Sequence, residues 1–306
     1  MIALLLLILL LPILLAPLET AGWWSRRRVE PIVHLNKKAL GSKPALQLVY
    51  FTGVAGYSGD FLARREKALL SLVQEQFTDL KIHHDVFPYS ASNLPLDGER
   101  VFRALWIWLH RWRLKVPNNV FDALIVIRNI GQLLVSSDPR YGPVFNQGLA
   151  EQLESRIHPD VPTVFLAYSG GAQMAVGAAD EMKRVLDFEA SLHLITLGGV
   201  FTDDPGIRAF DSVTQMLGTR DRWVIHLGRL IFPGLWRWQF WSSWNRYQRS
   251  GRFRRIVPGE HCHVGKSDYF GFAEASDGKT YQQLSADHIS SAIKELEPSL
   301  VSGSSI

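Results

Sequence analysis

Four groups of residues in this chain could do chemistry together, and the first is centred on Ser169. The apolar run from Val161 to Tyr168 stops at the small-residue corner Ala167-Tyr168-Ser169-Gly170-Gly171, and an Ala/Gly-rich helical pattern follows at once. A serine on such a strand-to-helix turn fits a nucleophile elbow, in which small residues two before and two after the serine permit the sharp corner; Ala167 and Gly171 hold those places. The same turn also suits a serine that only caps the following helix. The second group is the loop Thr52-Gly53-Val54-Ala55-Gly56-Tyr57-Ser58-Gly59-Asp60, directly after the apolar run Leu46 to Phe51. Glycines there leave backbone N–H groups free to face a phosphate or an oxyanion, although the loop lacks the Gly-Lys-Ser/Thr end of a Walker A sequence. The third group is a set of acids after later strands: Asp221 is favoured, with Asp203 and Asp204 as rivals. The fourth is Glu260-His261-Cys262-His263. A His-x-His pair can bind zinc, but no second cluster at metal spacing accompanies it, so we expect no metal or other cofactor. A general base is the stronger reading, with His263 favoured over His261 because Gly265 and Tyr269 follow it.

These groups need elements to position them. Strands are expected at 46–51, 81–87, 161–168, 191–197, 212–217 and 253–257, from short apolar or β-branched runs bounded by turn residues. Helices are expected at about 61–76, 99–115, 120–135, 144–157, after Ser169, and 284–296. Alternation at these intervals predicts an open, mostly parallel α/β sheet flanked by helices, whose ligands bind beyond the strand carboxyl ends. Ser169, Asp221 and the Gly53 loop all fall at such ends. The small residues Ala172, Ala175, Gly177, Ala178 and Ala179 would let the helix after Ser169 lie closely on the sheet. Arg128 and Asn129 interrupt an apolar helix face, either to hydrogen-bond in the core or to sit on its exposed side. His83 and His84 should point to opposite faces of their strand.

With 306 residues, 47% of them hydrophobic, the chain can bury a sizeable core, and its single cysteine, Cys262, excludes an intrachain disulfide. The net charge of +4 is too small to argue for nucleic acid, so the placement of charge matters more than its sum. Residues 2–18 are almost wholly aliphatic and lead through Trp23 and Trp24 to Arg26-Arg27-Arg28. We read residues 1–28 as a transmembrane anchor with a basic flank, 29–45 as a linker, 46–297 as the globular domain and 298–306 as a flexible tail. The tryptophan pair would sit at the interface, and the arginines would keep the domain on the cytoplasmic side. From about 223 to 252 tryptophans interleave with arginines and no acid appears, which suits a cap lying on a lipid surface through Trp236, Trp238, Trp241 and Trp244. Stacking on single-stranded nucleic acid uses similar chemistry, but an anchor on the same chain favours lipid.

Taken together, the Gly-rich loop after the first strand, the elbow serine, the acid after a later strand and the histidine after the last strand resemble the α/β-hydrolase family over residues 46–297. The order Ser, Asp, His is the one that fold uses. The resemblance implies a triad of Ser169, Asp221 and His263, an oxyanion hole made by backbone N–H groups of Gly53, Val54 and Gly170, and hydrolysis without a cofactor through an acyl-serine intermediate. With the cap and anchor, the implied substrate is a membrane lipid or other amphiphilic ester. A thioesterase, amidase or peptidase on the same scaffold, or a lipid-binding scaffold without turnover, are the alternatives. Ala167 in place of the first elbow glycine, Thr52-Gly53 in place of the usual His-Gly, and the lack of room for the first two strands are its departures from the family pattern.

Overall fold

In the computed structural model the described residues are 16–22, 24–25, 42–60, 62–96, 103–113, 118–186, 188–275 and 278–296. Strands β1 (Leu46–Phe51), β2 (Leu80–His83), β3 (Thr163–Tyr168), β4 (Leu192–Leu197), β5 (Ser212–Met216) and β6 (Phe253–Ile256) form one sheet in the order β2-β1-β3-β4-β5-β6. Every neighbouring pair is parallel. The order reverses between β1 and β3, which makes their carboxyl ends the switch point of the sheet, the place where such folds open a crevice.

Helices cover both faces. The helices are α1 (Arg64–Gln74), α2 (Arg103–Arg113), α3 (Asn118–Ser137), α4 (Gly142–Glu154), α5 (Gly171–Leu186), α6 (Arg222–Ile231), α7 (Ser243–Arg249) and α8 (Tyr281–Leu296). The central strands β1, β3 and β4 are buried almost throughout because both of their faces are covered. On one face Phe51 and Phe165, with ring centres 4.9 Å apart, pack with Met174 and Ala178 of α5 and with Phe121 and Leu149. On the other, Leu48, Leu166, Ile195 and Met216 pack with Leu69 of α1 and Ile289 and Ile293 of α8. Gly177 brings α5 close to α3 and α4: a Cβ there would stand 2.6 Å from Asn146 Oδ1 and 2.7 Å from Ser136 Oγ.

Strand β2 ends at His83, short of the expected Phe87. Asn93 explains the difference. Its side chain accepts from the Phe87 N–H at 2.6 Å and donates to the Asp85 carbonyl at 3.0 Å, so these groups are satisfied off the ladder. His83 is buried and His84 exposed, on opposite faces as the period of two requires.

The segment expected to span a membrane lies mostly outside the described residues, including the aliphatic run before Ala16, Trp23 and the Arg triplet. No helix among the described residues is long and apolar enough to cross a membrane. The part that is described, 16–22, is helical and rests on α3. Ala16 and Thr20 are buried there, the Glu19 carboxylate pairs with Arg128, and the Gln132 amide donates to Glu19 Oε2 at 2.9 Å. Arg128 and Asn129 are thus core residues, 1% and 0% exposed.

His83 should make stability pH-dependent. In the unfolded chain it takes up a proton near its ordinary pKa of 6.5, whereas burial, helped by the nearby Lys81 cation, lowers it to about 4 in the folded protein. The unfolded state therefore binds more protons between these values, and stability that is complete above pH 6.5 is lost as the pH falls toward 4. Urea unfolding of the wild type and of His83→Gln across this range should show the variant losing about 3 kcal/mol less. Parallel curves would mean that His83 is already protonated in the folded state.

Candidate active site

Ser169 stands at the corner between β3 and α5 with φ +52°, in the left-handed region that an L-residue occupies only under constraint. Two close approaches impose it. A Cβ on Gly171 would lie 2.5 Å from the Phe51 carbonyl oxygen and 2.6 Å from that of Thr52, so α5 begins directly against the end of β1. A Cβ on Gly170 would meet Val54 Cγ1 at 2.6 Å and Leu133 Cδ1 at 2.9 Å. The Ser169 N–H donates to the Leu197 carbonyl at 3.1 Å, tying the corner to β4. Ala167 points into the core on the α5 side and is fully buried, so its methyl group is accommodated where the motif has glycine.

The structure brings three of the residues singled out above into a chain of hydrogen bonds. His263 Nε2 lies 2.8 Å from Ser169 Oγ, and His263 Nδ1 lies 3.1 Å from Asp221 Oδ2. Asp221 is fully buried. It comes from the turn after β5, and Gly198 after β4 makes room for it. Gly198 has φ +54°, and a Cβ there would fall 2.5 Å from Asp221 Oδ2 and 3.0 Å from His263 Nδ1.

Two tyrosines complete the setting. Tyr269 donates its hydroxyl to Asp221 Oδ2 at 2.8 Å and accepts the Gly218 N–H at 3.0 Å. Burial and the Asp221 charge push its phenol far above the ordinary range, which keeps it a donor. Tyr168 stacks on the His263 ring, centres 5.2 Å apart and planes 23° from parallel, and donates its hydroxyl to the His263 carbonyl. Their types gave no signal for this. Tyr269 drew notice only through its spacing from His263.

The rival residues are engaged elsewhere. His261 is fully buried, with Nε2 2.9 Å from the Tyr281 carbonyl and 3.2 Å from Ser285 Oγ, and it stacks on Tyr269. Burial lowers its pKa and keeps it neutral at pH 7. Asp204 caps a short 3₁₀ turn by accepting the Gly206 N–H at 2.8 Å and also accepts from Gln173. Asp203 accepts the Trp244 N–H at 3.2 Å. His261 and His263 turn to different partners, and no cluster of metal-ligating side chains occurs among the described residues.

The Gly53 loop runs beside the serine: a Cβ on Gly53 would be 3.4 Å from Ser169 Cβ and 2.7 Å from the Tyr168 ring. Its shape is fixed from behind. Asn129 Nδ2 donates to the carbonyls of Val54 at 2.8 Å and Gly56 at 2.7 Å, and Tyr89 donates its hydroxyl to the Thr52 carbonyl at 3.1 Å. With the carbonyls held toward Asn129, the N–H groups of Gly53, Val54 and Gly170 have no protein acceptor among the described residues. Arg128 in turn donates to Asn129 Oδ1 at 2.8 Å and to the Tyr89 carbonyl at 2.6 Å. An asparagine interrupting an apolar helix face was the only sequence sign of this support.

The tryptophans expected at a membrane surface divide. Trp238 and Trp241 are 60% and 55% exposed, beside Phe240 at 63%. Trp236 is half-buried, its ring 5.3 Å from that of Trp238. Trp244 departs from the expectation: it is only 6% exposed, because it stacks on Phe201 at 4.5 Å and meets Phe253 edge-on at 5.4 Å. Trp24 is half-buried as well. No family model and no curated protein matches this chain.

The strain at Ser169 has a measurable consequence that does not depend on activity. Ser169→Gly and Ser169→Ala remove the same hydroxyl, but only glycine relieves the positive φ, so Ser169→Gly should be the more stable by about 1 kcal/mol. Chemical denaturation of the two variants checks this, and equal stabilities would mean that the corner is not strained.

Proposed function

We propose that this chain is a serine hydrolase of the α/β-hydrolase type that cleaves an ester of a lipid or other amphiphile at a membrane surface. The observation that carries the reading is the position of His263, within hydrogen-bond distance of both Ser169 Oγ and Asp221 Oδ2. A serine hydroxyl is a poor nucleophile until a base removes its proton as it attacks. In the proposed reaction His263 Nε2 takes the Ser169 proton as Oγ bonds to the ester carbonyl carbon. Asp221 holds Nδ1–H and stabilises the imidazolium that forms. The imidazolium then protonates the departing alkoxide as the ester C–O bond breaks, leaving the acyl group on Ser169. Water, deprotonated by the same nitrogen, attacks the acyl-serine; the carboxylic acid leaves and Ser169 regains its proton. The unpaired N–H groups of Gly170 and of Gly53 or Val54 would carry the negative charge on the carbonyl oxygen in both halves.

The membrane part of the proposal rests on the aliphatic amino terminus and on the exposed Trp238, Phe240 and Trp241, whose rings suit the lipid headgroup boundary.

A fluorophosphonate probe tests the nucleophile directly. Labelling should vanish in Ser169→Ala and fall by at least about a hundredfold in His263→Ala, whereas His261→Ala should retain it in whatever fraction stays folded. A well-folded wild type that does not label would leave a scaffold without turnover. If the Gly53 loop supplies an oxyanion donor, Asn129→Ala should lower kcat and kcat/KM together by about tenfold to a hundredfold while KM stays nearly constant. A change confined to KM would assign Asn129 to substrate binding instead.

A further inference from the structure

Against one face of the sheet at β5 and β6, between them and α6 and α7, lies a cavity of about 430 Å³. Its lining joins three cations, Arg229, Arg237 and Arg255, to three rings, Phe201, Trp244 and Phe253. Arg220 and Arg254 are each paired, with Glu260 and Glu295. Among the described residues no carboxylate pairs with Arg229, Arg237 or Arg255. Arg254 and Arg255 are adjacent in β6 and so face opposite sides of the sheet, one toward Glu295 of α8 and the other into the cavity. Arg255 is aimed by Gln215, whose Oε1 accepts from its Nε at 3.2 Å and from its Nη2 at 3.1 Å. That neutral acceptor orients the guanidinium without neutralising it. Partial burial, together with the charges of Arg229 and Arg237, pushes the Arg255 pKa down.

The wall of the cavity adjoins the site described above. Gly199 and Val200 form part of its wall, directly after Gly198, which abuts Asp221 and His263, and the Val200 N–H donates to the Ser169 carbonyl at 2.9 Å. Guanidinium forks match the oxygens of a phosphate, and a phosphate monoester offers three acceptor oxygens with nearly two negative charges to such a cluster. The volume exceeds what a phosphate alone fills, and the wall also carries the apolar Phe201, Leu217, Leu235, Trp244 and Phe253.

We propose that this cavity binds the phosphate monoester headgroup of an amphiphile, the rings of Phe201, Trp244 and Phe253 receiving the adjoining alkyl part. As a binding site it stands on the cavity alone; as the place of a substrate's headgroup it rests on the hydrolase reading.

Binding is measured by titration calorimetry on the Ser169→Ala protein, so that turnover plays no part. The ligands are decyl phosphate, inorganic phosphate and the neutral decyl maltoside, all below their micellar concentrations. Decyl phosphate should bind with one-to-one saturation, weaken as salt is raised, and lose about tenfold in affinity in each of Arg237→Gln and Arg255→Gln. Arg237 and Arg255 are both exposed, so neither substitution removes a core side chain. Equal binding of decyl maltoside, or unchanged affinity in the Arg237→Gln protein, would overturn the proposal. Inorganic phosphate binding as tightly as decyl phosphate would overturn the amphiphile. A wild type that fails to label with the fluorophosphonate but binds decyl phosphate would sink the hydrolase reading and leave this site standing.

Discussion

Everything at the carboxyl edge of the sheet depends on how closely α5 starts against the end of β1. With Gly171 packed on the carbonyls of Phe51 and Thr52, the chain has no room for a relaxed turn between β3 and the helix. Ser169 must take a positive φ, a conformation that costs an L-residue about 1 kcal/mol or more. The corner persists because its surroundings over-determine it. The Ser169 N–H extends the β3 ladder onto Leu197, and the Gly198 N–H extends the β4 ladder onto Met216. Each loop thus leaves the sheet while still bonded to the next strand. Gly198 repeats the device one strand along, and the space its missing Cβ leaves is where Asp221 and His263 meet. Two left-handed corners on adjacent strands therefore set the geometry of three side chains drawn from three separate loops.

Behind this edge stands a buried polar stack that rigidity alone does not explain. Arg128 is a charge in the core, and burying a charge costs heavily unless it is paired and hydrogen-bonded. Glu19 supplies the counter-charge, and Tyr89 and Asn129 supply two further acceptors, while Arg128 Nε is buried without a partner. The stack runs from the amino-terminal helical segment through α3 to the carbonyls of the Gly53 loop. Replacing it by apolar side chains would leave those carbonyls without donors, so the polar residues hold loop shape as well as charge. Its consequence is that residues far apart in sequence, at 19, 89, 128 and 129, share one arrangement with the backbone beside Ser169.

The fold was largely legible because its signals are local. Apolar β-branched runs separated by helical patterns give strands that alternate with helices, and the structure arranges them as one parallel sheet. The corner at Ser169 was legible for the same reason, since small residues crowd around a sharp turn. What was not legible depends on partners distant in the chain. His261 and His263 are two residues apart, and nothing local says which one turns to a serine and which to the Tyr281 carbonyl. Asn129 reads as a polar break in an apolar face until Val54 and Gly56 are found opposite it. Trp244 belongs by composition with Trp238 and Trp241, yet Phe201, from the loop after β4, covers it. The extra length expected of β2 failed through Asn93, whose side chain replaces ladder partners that a strand pattern assumes.

The Trp/Arg interleaving of residues 223–252 holds two chemistries that composition merges. Trp238, Phe240 and Trp241 keep more than half their surface in water, and Phe240 and Trp241 pack edge to face at 4.9 Å, so they present a contiguous apolar patch instead of scattered rings. Trp244 turns inward and, with Phe253, becomes a wall for Arg255. A single inward tryptophan thus lies between an exposed aromatic patch and the arginine-lined cavity. Neither half by itself selects an amphiphile: an apolar patch attracts any hydrophobic surface, and an arginine cluster attracts any compact anion. Held on one segment, they favour a molecule that carries an apolar chain and a negative head together. On the proposed binding, the absence of acids from this segment matters, because a carboxylate among Arg229, Arg237 and Arg255 would compete with an anionic head for the same guanidinium groups.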